Sequence, residues 1–399
     1  GIDLLFVMVL IGNFGTAITN PEPIVTGPEV RPGLVLYDAF AGSIKDLLNL
    51  YLPWLLGRSM LRSSKDLRDL MRYLVLGGLI YSFFCVLEVR LSPQFHRWLY
   101  GFHQMDFGMS MRFGGYRPMV FMLTGMATAM FVLSTAIAAT ARWRAGQSKP
   151  WAAIWLSVVL LLCKSTGAIV YGMAVLPIVA FVRKPKMWLP TGLAVMVIFF
   201  PLLRGADLFP ADTLVEWAEK INEERALSLW FRFDQEEQLM ERWRERPIFG
   251  WGTYNRHHVY DPETGEDLSI TDGDWMIQLG TRGLAGFIGL YGLLALAVVR
   301  AWRRHKRIPS RRVQVLLAAF ALISSLQTVD LLPNGLFHYL PFFFAGALEG
   351  LSEGIASAAD RAKKRRRYER ARRAREGRTS LQLKPRNSSV PDEPPAPQR

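Results

Sequence analysis

Cysteine is scarce in this chain, with Cys85 and Cys163 the two in 399 residues. Both fall inside apolar segments rather than loops, which argues against a structural disulfide or a cysteine metal site. Also missing is a charged n-region followed by a small-residue cleavage site, so the first apolar run does not read as a secretory signal. The chain starts at Gly1 rather than Met and that run begins almost at once; a fragment, or a processed chain lacking earlier helices, is expected. Rings are scarce at the basic C-terminal end, where Tyr368 stands alone. That poverty makes nucleic acid a poor partner for the tail.

Hydrophobic residues make up 50% of the chain and aromatics 12%, beside a formal charge of +14. Their clustering decides the class. Near-continuous apolar runs at 4–18, 73–87, 119–139, 187–203, 287–299 and 315–326 are, with their flanks, suited to crossing a bilayer. The expected fold is an all-α polytopic membrane protein. Spans are read at 3–18, 37–56, 72–90, 119–140, a short pair within 151–182, then 187–203, 275–299, 313–331 and 336–355. This makes about ten visible spans in all.

Two full spans within 151–182 would need roughly 40 apolar residues. The pair, interrupted by Lys164-Ser165-Thr166-Gly167, must therefore turn below the outer surface. Basic residues at 58–72, 142–149, 183–186 and 300–312 then share one side, the cytoplasmic one under the positive-inside rule. Four regions follow: N-terminal transmembrane helices at 1–203, an extracytoplasmic loop at 204–274, C-terminal transmembrane helices at 275–357 and a cytoplasmic tail at 358–399. Within the tail, residues 361–378 hold eleven Lys/Arg and two Glu, a net of +9. Such a helix beside a last span lies against anionic lipid headgroups, and the Pro-rich end reads as disordered.

The long polar loop is the stretch around which function is expected. Asp234 with Glu237 has the spacing of a capping box, so a helix is predicted to start there, and Pro247 ends it. Phe249-Gly250-Trp251-Gly252 then reads as a turn, followed by Asn255, Arg256, His257 and His258. Asp272-Gly273-Asp274-Trp275 returns the chain to an apolar helix.

In this order, RPMVFMLTGMATAMF, CKSTGAIVYG, SLWFRFDQEEQLMERWRERPIFGWG, HVYDPETGEDLSITDGDW and GTRGLAGFIGLYGLL resemble the O-antigen polymerase and O-antigen ligase superfamily, closer to its polymerase-like branch. The likeness covers most of 37–351 and is most specific from RPIFGWG to DGDW. It implies a bacterial inner-membrane glycosyltransferase of the multi-spanning C type, passing a glycan from an undecaprenyl-diphosphate carrier to an acceptor hydroxyl. It implies metal-independent chemistry without a cofactor, arginines on the diphosphate, and a chain-length regulator and flippase of the same pathway as partners. Ligases of the family carry a His near the loop's end, where this chain reads Thr271-Asp272-Gly273-Asp274-Trp275.

Such a reaction needs charge stabilisation on the departing diphosphate and a base at the attacking hydroxyl. Arginine suits the first, because its planar fork pairs with phosphate oxygens and stays charged. Arg232, Arg256, Arg112 and Arg117 are the candidates, each with an ion-paired or snorkelling alternative. Lys164 is a further candidate for holding the anionic carrier, since an ammonium in a sunken turn faces water or snorkels. For the base, Asp272, Asp274, His257 and His258 compete. Asp272 is preferred, with a helix N-cap as its structural alternative. The competing classes are a ligase, a transporter or flippase of lipid-linked glycan, and a structural scaffold.

Overall fold

The computed structural model describes residues 2–182, 184, 186–206, 208–220, 223–270, 273–335 and 339–382. Helix α1 (Ile2–Thr19) leads into a two-stranded hairpin, β1 (Ile24–Thr26) and β2 (Glu29–Arg31), with Val25 opposite Val30. There follow α2 (Leu36–Asp46), a π-helical turn over Leu47–Tyr51, α3 (Leu52–Met60) and α4 (Ser64–Leu91). A connection holding α5 (Phe95–Tyr100) and the small hairpin β3 (Met111–Arg112) and β4 (Gly115–Tyr116) reaches α6 (Gly125–Arg144). Next come α7 (Trp151–Leu162), α8 (Thr166–Phe181) and α9 (Trp188–Gly205). The polar stretch supplies α10 (Ala211–Glu219) and α11 (Glu223–Arg244), before α12 (Asp274–His305), α13 (Arg311–Asp330) and α14 (Leu340–Gln382).

The architecture is thus mostly helical, and α4, α6, α9, α12 and α13 are long and apolar enough to cross a membrane. Central α13 has 83% of its apolar window buried while α4 has 22%, so α13 forms the middle of the bundle and α4 its rim. Ile80 and Phe83 of α4 and Leu4 and Ile11 of α1 point outward, as lipid-facing side chains would. α7 and α8, of 12 and 16 residues, extend about 18 and 24 Å at roughly 1.5 Å per residue. Both fall short of a hydrocarbon core of about 30 Å, in keeping with the short pair expected there.

Two elements differ from the sequence reading. Asp234 does not start a helix, because α11 already runs from Glu223 with neither Gly nor Pro to break it. The Asp234 carboxylate instead accepts from Gln238 Nε2 one turn on, at 2.9 Å. The span expected at 275–299 is not one continuous helix either, since Gly283 interrupts α12 with φ 59° and ψ −165°. Only glycine adopts that conformation without strain.

The break has a specific partner. Interrupting a helix strands carbonyls before the break and N–H groups after it. Here Gly280 and Thr281 accept from the N–H groups of Trp251 and Gly252 at 2.8 and 2.9 Å. Beyond the break, Leu284 and Ala285 donate to the carbonyls of Pro247 and Ile248 at 2.8 and 3.0 Å. The Pro-Ile-Phe-Gly-Trp-Gly turn therefore completes the hydrogen bonding of the broken helix. Helix α1 and the residue after it close the clasp from the other side, with Thr16 Oγ1 donating to the Phe249 carbonyl at 2.5 Å and Asn20 Nδ2 to that of Gly250 at 3.0 Å.

A Cβ on Gly283 would also run into the Ile248 carbonyl. Gly283→Ala is expected to destabilise the fold by at least about 2 kcal/mol, combining backbone strain with lost clasp hydrogen bonds. Asn20→Ala should cost about 1 kcal/mol. Thermal unfolding of the detergent-solubilised protein would check both, and a Gly283→Ala midpoint equal to that of the parent would contradict the clasp.

Candidate functional site

A cavity of about 570 Å³ opens between α1, α2, the Gly252-Thr253 end of the clasp and the first half of α12. Its position follows from local sequence. Pro53 has no N–H to return to Asn49, and the preceding turn relaxes to π geometry, with Leu52 N–H bonding the Leu47 carbonyl. Lys45 and Asp46 stand immediately before that turn and Asn49 within it, all three lining the cavity. Opposite them is Arg282, the last residue before the α12 break.

Asp46 and Arg282 form a bidentate ion pair, Nη1 to Oδ2 at 2.5 Å and Nη2 to Oδ1 at 2.9 Å. Asn13 of α1 joins both, donating to Asp46 Oδ2 at 2.8 Å and accepting from Arg282 Nη1 at 3.2 Å. The carboxylate is 2% exposed and the guanidinium 21%, so the acid is covered while the cation still meets the cavity. Lys45 is exposed on the cavity side and makes no hydrogen bond or ion pair among the described residues. Two further carboxylates line the space. Asp38 accepts from Val35 N–H at 2.8 Å and Tyr254 hydroxyl at 2.9 Å. Buried Asp274 accepts from Gln278 Nε2 at 3.0 Å and Tyr291 hydroxyl at 2.7 Å.

Of the residues anticipated from sequence, Asp274 is the one that lines this cavity, while Asp272 lies outside the described residues. Arg256 is buried beneath the clasp, donating to the carbonyls of Trp251 at 3.2 Å and Pro32 at 2.8 Å. His257 is buried against Gly280, and neither ring nitrogen has a partner among the described residues. Burial, reinforced by the neighbouring His258 and only partly offset by Asp267, pushes its pKa from near 6.5 down to about 3. His258 pairs with Asp267, Nδ1 to Oδ2 at 2.6 Å, on a separate groove with Arg242 and Tyr260.

Arg232 lines a small cavity of about 80 Å³ beside Gln235 and Glu236. Burial raises the Glu236 carboxyl to about 7 against the pull of Arg204, 3.3 Å away. Arg112, Arg117 and Lys164 gather elsewhere, at the β3–β4 hairpin. The Lys164 ammonium lies against Gly115, its backbone left-handed at φ 50°. Arg117 is buried, and desolvation, aided by the charge of Arg112, lowers its pKa to about 10. The structure thus brings these three together but not with Arg232, Arg256 or Asp274.

Lys45, Asp46 and Arg282 escaped the sequence reading as site residues. Their signal was present as ionisable residues inside otherwise apolar helical runs, a position that is costly without a purpose. The described residues contain no group of three or more His, Cys, Asp or Glu able to hold a metal ion. Neither a scan of protein-family models nor a search of curated proteins finds a match to the chain.

The depressed His257 pKa carries a sign. Between pH 6.5 and 3 the unfolded chain binds a proton that the folded imidazole refuses, so stability present above pH 6.5 is lost as pH falls. The slope is at most about 1.4 kcal/mol per pH unit for one such group. Denaturation at pH 7 and pH 4.5 is expected to show a smaller acid loss in His257→Phe than in the parent. Equal losses would mean that the imidazole charges freely in the fold.

Proposed function

We propose that this chain is a membrane glycosyltransferase that moves a glycan from an undecaprenyl-diphosphate carrier to an acceptor hydroxyl, most simply as a repeat-unit polymerase. The observation that carries the reading is the 570 Å³ cavity in which Lys45 and Arg282 stand among three carboxylates at a helix break. In this reading the acceptor oxygen attacks the anomeric carbon, the bond from that carbon to the diphosphate breaks, and the carrier diphosphate leaves with the bonding pair. Lys45 and Arg282 take up the charge on the leaving group, as fixed cations do without reorganising. Asp274 receives the hydroxyl proton, each of its oxygens keeping a lone pair beyond the Gln278 and Tyr291 hydrogen bonds. Asp46 and Asn13 hold the Arg282 fork in place.

The membrane arrangement in this proposal has about ten crossings, the 204–274 loop outside and the basic tail inside. Arg256 shapes the clasp beside the cavity, and Arg112, Arg117, Lys164 and Arg232 meet the carrier or glycan beyond it. A broken helix is also a feature of transporters, where unwound backbone lines the ion or substrate path. In this chain the backbone groups freed at Gly283 bond to residues 247–252 and are not available to a cargo. That pairing favours chemistry over transport.

Purified protein in lipid, given a synthetic undecaprenyl-diphosphate oligosaccharide, is expected to yield a ladder of longer carrier-linked glycans on a gel. Arg282→Ala and Asp274→Asn should each lower turnover by about 10²-fold or more, the scale of losing one preorganised charge or proton-transfer group. Transfer only to an added lipid or protein acceptor would make the enzyme a ligase. Bond formation undiminished in both variants would refute the site, and none with any donor would refute the activity.

A further inference from the structure

A second polar region lies at the far end of α12, on the face that carries the basic loops. The end of α12, the start of α13 and the α8–α9 connection enclose a cavity of about 500 Å³ lined by Lys184, Met187, Trp302, His305, Lys306, Arg311 and Gln314. A narrow groove shares Lys184 with it and runs between α8, α9 and α13. Arg144, Lys184 and Lys186 rim that groove, and Ile178, Val179, Leu189, Val315, Ala318 and Leu322 supply its apolar walls.

Charge and shape together identify the occupant. Beside Arg311, four further cations, Arg144, Lys184, Lys186 and Lys306, border the two spaces, and no Asp or Glu is among the described lining residues. The nearby acid Glu349 is already engaged by Arg300 and Arg304, both at 3.1 Å. Bringing Lys184, Lys186 and Lys306 close together is unfavourable unless an anion joins them. Trp188 and Trp302 are 60% and 43% exposed beside the cavity, and exposed tryptophans at helix ends mark the headgroup level of a bilayer. A headgroup-sized cationic cavity joined to an apolar groove between membrane helices matches an anionic phospholipid, phosphate on the lysines and acyl chain along α13.

We infer that this chain holds one anionic phospholipid between α8, α9, α12 and α13, with Lys184 and Lys306 on its phosphate and Val315 and Leu322 against its acyl chain. This site is separate from the basic C-terminal helix and does not depend on the glycosyltransferase reading. Bound there, the lipid stitches the end of α12 to the α8–α9 connection.

The test uses the full chain in nanodiscs doped with phosphatidylglycerol or phosphatidylcholine bearing a diazirine in one acyl chain, with crosslinked peptides read by mass spectrometry. Phosphatidylglycerol is expected to label peptides of α8 and α13 at least fivefold more than phosphatidylcholine. Lys184→Gln with Lys306→Gln should remove that preference, and the double arginine replacement should keep it. Labelling of the C-terminal helix should be unaffected, which separates the site from general attraction to the surface. Equal labelling by the two lipids, or a preference that survives the double glutamine replacement, would overturn the inference. So would loss of the label to millimolar inorganic phosphate, which would mark a free-phosphate site, or its displacement by an equimolar polyprenyl diphosphate, which would mark a carrier site.

Discussion

The exchange of backbone hydrogen bonds between the broken helix α12 and the Pro247–Gly252 turn is the interaction on which the rest of this structure depends. A broken helix strands carbonyls and N–H groups, and each one left unmet away from water costs several kcal/mol. Here the stranded groups are met by a turn with glycines at positive φ on either side of Trp251. The two segments are folded as one unit, and neither makes sense alone. Thr16 of helix α1 and Asn20 just beyond it bond to the same turn, so the first and twelfth helices are tied through a loop more than 200 residues from the first.

The break also decides where charge can be placed. It puts Arg282 at the end of a half-helix, where its side chain crosses over Gly286 toward α2. The same geometry appears on the other side of the cavity, where Pro53 imposes a π turn directly after Lys45 and Asp46. Two local departures from α-helical geometry thus face each other, and the ion pair between Asp46 and Arg282 spans them. Burying that pair has a large desolvation cost, which the two-pronged geometry and the added Asn13 hydrogen bonds offset. In the proposed reaction this fixes the cation before substrate arrives.

Much of the fold was legible because membrane helices announce themselves through apolar length. The runs that became α4, α6, α9 and α13, and the stop imposed by Pro247, could be read directly. Residues such as Gly283 could not, since an apolar run containing glycine reads the same whether the helix continues or breaks. Asp234 misled for the opposite reason, a valid capping pattern lying inside a helix that had already begun. For the site, the turn around Trp251 was recognised as special, but its role as a backbone partner depends on contacts with residues 280–285. Arg256, prominent in the linear sequence, is committed to that turn through the Trp251 carbonyl, and His257 is packed against Gly280 of α12. Lys45, Asp46 and Arg282 were visible as isolated charges and gained meaning only when three helices were brought together.

In the proposed function, the cavity at the α12 break binds the diphosphate of a lipid-linked glycan. The most direct measurement is photocrosslinking with an undecaprenyl-diphosphate oligosaccharide that carries a diazirine on its first sugar, followed by peptide mapping. Labels are expected at the end of α2 and in the π turn, over Lys45–Asn49, and on the first half of α12 near Asp274–Arg282, both competed by unlabelled carrier. Competed labels confined to the β3–β4 hairpin or to the groove around His258 and Tyr260 would contradict it.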